Sequence, residues 1–288
     1  MYIALAVVLV VVVVMIVNAR LQRKVVGGKA EPVRLCVLLS APVELDAEKL
    51  MSDFEKRWGT RVACSEKPEW ADASEQKRTY LLADADHALM VIVGGQPMPE
   101  SLTVMSAAFA TDGGASSQEV RQHKGFIQVI YFRKGEPDPM NEARFAARAL
   151  LSLMELPEAV GYVAISGIMY MTKARAQALC ESGEIEDPAV LMLVTGVHSV
   201  GDGGQKWIHT HGMEQFGAPD IEMRFDDADR YREVLMNAAL YCAQSGPVMQ
   251  PGHTAELMGD GVNYRVQKAD PEPDHEYGQF GAIRLVKE

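Results

Sequence analysis

From Tyr2 to Val17 the chain carries no charged or strongly polar side chain, and this run restricts its surroundings more than any other segment does. Sixteen residues at about 1.5 Å each nearly cross a hydrocarbon core of roughly 30 Å. In lipid, such a segment can satisfy its backbone only as a helix. The run therefore predicts one transmembrane helix over residues 1–19. No Lys or Arg precedes it, whereas Arg20, Arg23 and Lys24 follow at once. That asymmetry favours an outside N-terminus and a cytoplasmic body. A signal peptide cut after Val17-Asn18-Ala19 is the rival reading, and it would release an exported soluble protein. Residues 20–32, basic and holding Gly27 and Gly28, read as a flexible tether.

Beyond the tether the balance of charge reverses. Of 28 Lys and Arg and 39 Asp and Glu, residues 1–34 take five basic and one acidic. The remainder holds 23 basic against 38 acidic residues, a charge of -15. Such a body repels phosphate backbones, so nucleic acid is excluded as a partner. Cys36, Cys64, Cys180 and Cys242 are widely spaced, in or beside apolar stretches. They read as free buried thiols, in keeping with a reducing compartment.

Val33–Ser40 is apolar on both alternating faces and reads as a doubly buried strand. Asp46 then caps a helix that closes at Gly59, and strands follow near 61–65, 79–83 and 88–93. A second group has a strand at 126–132, a helix capped by Asn141 and a strand near 161–165. A third has strands near 190–197, 206–211 and 220–224 and a helix over 229–243. Strict βαβ alternation is missing. The expected fold is α+β, one mixed and mostly antiparallel sheet with helices mainly on one face, preceded by the transmembrane helix. The body spans 33–268, and 269–288 form an acidic, Pro-containing tail. Segments 111–118 and 251–262 read as loops.

The most pointed motif runs from Trp207 through His209, Thr210, His211 and Gly212 to Phe216, Gly217, Pro219, Asp220 and Glu222. On a strand, Trp207, His209 and His211 share a face. Two imidazoles at i and i+2 can hold a divalent metal such as zinc, with Asp220, Glu222, His198 or His253 as third ligand. The competing reading makes the histidines structural, bonded across a sheet and bracing the next turn. That reading implies no cofactor, and the spacing points to it more than to metal. Gly212 and Gly217 suit positions that need positive φ. Gly201-Asp202-Gly203-Gly204 lacks the spacing of a phosphate loop and reads as a hairpin turn. No serine lies in a GxSxG elbow, and His123 with Arg121 and Lys124 reads as a solvated loop.

Val33–Gly59, Phe126–Phe132 with Val160–Tyr170, His209–Glu222 and Tyr241–Thr254 together resemble a bacterial family called domain of unknown function 4261. In this chain Asp220 stands where that family usually has Glu, and His253 where Asp is frequent. The resemblance implies one domain and no known activity. The N-terminal anchor is not part of that family's usual pattern; the flanking charges together with a bacterial family give the expectation of a body at the inner face of a bacterial plasma membrane. Without a complete catalytic constellation, the leading expectation is a non-catalytic module that binds a protein partner or itself, tethered through residues 2–17. A metal-dependent hydrolase using His209 and His211 is the alternative.

Overall fold

The computed structural model describes residues 30–67, 77–110, 116–133, 136–180, 184–202, 205–225, 228–269 and 277–288. Residues 31–288 form one compact unit. The first sheet is seven-stranded and wholly antiparallel, in the order β2-β3-β4-β5-β1-β6-β7. Its strands are β1 (Arg34–Leu39), β2 (Ala63–Glu66), β3 (Lys77–Ala83), β4 (Ala88–Gly94), β5 (Gly125–Phe132), β6 (Ala159–Ala164) and β7 (Met169–Thr172). The alternation in β1 explains what covers it. Leu35, Val37 and Leu39 enter the main core, whereas Cys36 and Leu38 enter a smaller cluster with Phe126, Val163 and Tyr170.

On the main-core side lie α1 (Ala47–Trp58) and α4 (Pro139–Leu153). Asp46 caps α1 by accepting from the Lys49 amide, and Gly59 ends it at φ 65°. Asp138, one turn before the expected Asn141, caps α4 and is followed by Pro139 in the first turn. Ala143, Ala146, Ala147 and Leu150 are fully buried along α4. The opposite face carries α2 (Glu100–Ala108) and α3 (Ser116–Gln122). His123, expected in solvent, is buried beneath them. Its Nε2 accepts from the Met98 amide at 2.8 Å, and its Nδ1 bonds the Val120 carbonyl at 2.5 Å.

A second sheet has the order β11-β12-β13-β10-β9-β8. It comprises β8 (Gly196–Asp202), β9 (Gln205–His211), β10 (Asp220–Arg224), β11 (Thr254–Glu256), β12 (Asn263–Lys268) and β13 (Ala282–Lys287). Every pair is antiparallel except β10 with β13. Two more helices, α5 (Lys173–Ala178) and α6 (Asp187–Val194), precede β8, and α7 (Ala228–Ser245) packs on β9 and β10. Helix α6 touches both α4 and α7, so one core runs from sheet to sheet.

Several expectations are corrected by this architecture. Two sheets replace the single one, and helices cover both faces of the first. No helix among the described residues is long and apolar enough to cross a membrane. The span expected over residues 1–19, and the membrane contact through 2–17, lie outside the described residues. Residues 190–194, expected in a strand, end helix α6, because Pro188 starts the helix and its apolar residues are buried on nearly every side. Part of the expected tail becomes β13, which pairs on both edges in the middle of the second sheet. Residues 116–122 are helical rather than loop.

Candidate functional site

Strands β8 and β9 pair antiparallel, and Gly201 and Asp202, expected in a turn, belong to β8, while residues 203–204 lie outside the described residues. Asp202 pairs with Gln205, and that register sets His198 directly opposite His209. On the other side of β9, Glu222 lies opposite His209, and Arg284 of β13 lies opposite Glu222. His211, two residues along β9, shares the face of His209. The outcome is a three-histidine cluster. One ring nitrogen from each of His198, His209 and His211 lies within 4.8 Å of the other two. Nε2 of His209 is 3.2 Å from Nε2 of His211.

His198 is 1% exposed and His209 2%, while His211 is partly buried. Burial, and then the neighbouring His209, push the His198 imidazolium down to about 3, so the ring is neutral at pH 7. Its Nε2 lies 3.1 Å from the Gly167 carbonyl, which can only accept, so this nitrogen carries the proton. Nδ1 then holds the lone pair, and it is buried without a hydrogen-bond partner. Phe109 stacks on the ring at 3.8 Å between centroids and 2° between planes. Gly196 makes this placement possible. A Cβ there would meet the Gly167 oxygen at 1.9 Å and His198 Nε2 at 2.8 Å.

The other sequence candidates separate from the cluster. The carboxylate of Glu222 accepts from Arg284 Nε at 2.5 Å and from the Tyr277 hydroxyl. Asp220 accepts from the Thr210 hydroxyl at 3.0 Å and from the Met213 amide at 3.3 Å. His253 is exposed in a turn, where its Nδ1 accepts from the Gln250 amide at 3.5 Å. None of these three belongs to the group of convergent donors. Trp207 is held between guanidiniums, with Arg224 at 4.7 Å and Arg284 at 4.6 Å from the ring centre. Gly212 and Gly217 take φ 101° and 68° on either side of a 3₁₀ turn, Met213–Phe216, as positive-φ positions. Phe216 fills the core, and half-buried Pro219 leads into β10. Thr210 ties β9 to β10 by also accepting from the Ile221 amide at 2.9 Å.

Beside His198 opens a cleft of about 510 Å³ whose lining the sequence did not reveal. Thr195, Arg175 of α5 and Arg232 of α7 line it. Thr195 is 2% exposed, and its buried hydroxyl has no hydrogen-bond partner.

No curated protein and no solved structure matches the chain. A family model does match, over residues 209–276, which hold His209, His211, Asp220, Glu222 and His253 but neither His198 nor the first sheet. That stretch of the chain is similar to the family described as Domain of unknown function (DUF4261).

Proposed function

We propose that the protein is a metal-binding module in which His198, His209 and His211 hold one divalent transition-metal ion of the zinc class. The convergence of three imidazoles from two paired strands carries this reading. It reverses the preference for purely structural histidines. His198 spends Nε2 on the Gly167 carbonyl, but Nε2 of His209 and Nε2 of His211 face each other, and one nitrogen of each of the three rings converges with the other two. A tetrahedral ion with Zn–N bonds of about 2.0–2.1 Å needs ligand nitrogens roughly 3.3 Å apart. The 3.2 Å between His209 and His211 already fits. Neutral His198 has no proton to surrender from Nδ1, and its Nε2 bond to Gly167 is the kind of outer contact that orients a ligating ring. Three neutral protein donors leave a fourth position open, as in sites that take a water or an exogenous ligand.

The test uses chain purified without a histidine tag. Metal analysis should find about one zinc, manganese or iron per chain, or stoichiometric uptake of added zinc with a raised melting temperature. An ion at a hundred times its Kd stabilises by about 2.7 kcal/mol. His209→Gln with His211→Gln should lose the metal, because an amide is a poor ligand for such ions. His253→Gln should keep it. Wild-type chain that neither carries nor takes up metal would overturn the reading.

A further inference from the structure

The cleft beside the histidines has a charge at odds with the rest of the chain. Arg175 and Arg232 both line it, and neither guanidinium has an ion-pair partner among the described residues. In a chain of net charge -11, two exposed arginines at one cleft make it locally basic. The fully buried, unpartnered hydroxyl of Thr195 lines the same space and offers one more polar contact. The remaining wall is soft and apolar, made of Met169, Met171, Met192, Met236 and Phe109. Methionines fit irregular apolar bodies, and a volume of about 510 Å³ lies within the range of small-molecule sites.

We infer that this cleft binds a small organic oxyanion, a phosphate or carboxylate head on an apolar body, with its head among Arg175, Arg232 and His198, the one histidine of the cluster that lines the cleft. The inference rests on the metal reading for one part of its argument. A divalent ion on three neutral imidazoles keeps its whole charge, and an anionic oxygen is the natural fourth ligand. The arginines supply the other part, since their planar forks match oxyanions in two-point contact. The methionines and Phe109 take the apolar body.

Phenylphosphonate is the probe, titrated calorimetrically into zinc-loaded chain, with benzyl alcohol as its neutral counterpart. Phenylphosphonate should bind and benzyl alcohol should not. Arg175→Gln with Arg232→Gln should weaken the phosphonate at least tenfold while zinc content and melting temperature stay the same. Both arginines are exposed on helices, so the fold should tolerate the change, and the single variants repeat the measurement. Equal phosphonate binding in wild type and double variant, or none in zinc-loaded wild type, would overturn the inference and leave the metal reading standing. If wild type takes up no metal, that reading falls alone. Titration of the metal-free chain then decides the cleft: arginine-dependent binding keeps it, and no binding removes it.

Discussion

Asp220 and Glu214 are two buried carboxyl groups at the base of the 3₁₀ turn after β9. Burial pushes Asp220 up to about 7 despite the bonds it accepts from Met213, Thr210 and Gly278. Burial and then Asp220 itself push Glu214 up to about 8. Both titrate near 4 in the unfolded chain. Between about pH 4 and pH 8 the folded chain therefore holds protons that the unfolded chain has released, and their contribution to stability falls as pH rises through that window. Asp220→Asn with Glu214→Gln should flatten this slope, by an amount on the order of a few kcal/mol between pH 5 and pH 8. Urea midpoints at the two pH values measure it, and an unchanged slope would refute it. At the same scale, the period of two made His209 and His211 legible as a pair. His198 was legible too, though only by register. Asp202 pairs with Gln205, and counting four residues away from that pair on each strand reaches His198 and His209. Arg175 and Arg232 were not legible. They are exposed basic residues on separate helices, each with another basic residue nearby in sequence, and sequence spacing does not show which solvated cations converge.

Strand β13 was hidden by its neighbourhood. Ile283 and Leu285 alternate as a strand requires, yet they follow an acidic, Pro-containing stretch whose composition argues for a tail. Helix α6 misled in the opposite way. Its Val190-Leu191-Met192-Leu193-Val194 is a short continuous apolar run, and periodicity alone does not tell a buried helix from a buried strand there. Most strands of the first sheet were easier, because β1, β3, β4, β5 and β6 have β-branched or aromatic residues, whereas the four-residue β7 (Met169–Thr172) went unread. Since β13 bonds both β10 and β12, a chain stopped after Lys268 leaves two unpaired edges in the middle of a sheet. Such a chain should be insoluble or lack cooperative unfolding, as yield and circular dichroism would show. Ile283→Ala should cost about 2–5 kcal/mol as a buried truncation. A stable, cooperative chain ending at Lys268 would contradict the topology.

At the scale of the molecule, Leu35 of the first sheet, Leu150 of α4 and Ile208 and Leu285 of the second all belong to one continuous core. A fragment beginning at Glu31 should therefore unfold in one transition. Variants keeping only Trp58, beside α4, or only Trp207, on β9, report on the two sheets separately. Their denaturant midpoints should coincide, and a gap between them would mean that the sheets are separate folding units. The parallel seating of β13 beside β10 also bears on how the chain is born. Residues 225–281 must be translated after β10 before its partner exists, an interval of several seconds at roughly 5–20 residues per second. Throughout that interval the nascent sheet presents one hydrogen-bonding edge of β10 to solvent, where another strand can pair with it. The histidine strands β8 and β9 leave the ribosome earlier and can already pair, so a truncated product can display the imidazoles without the sheet that steadies them.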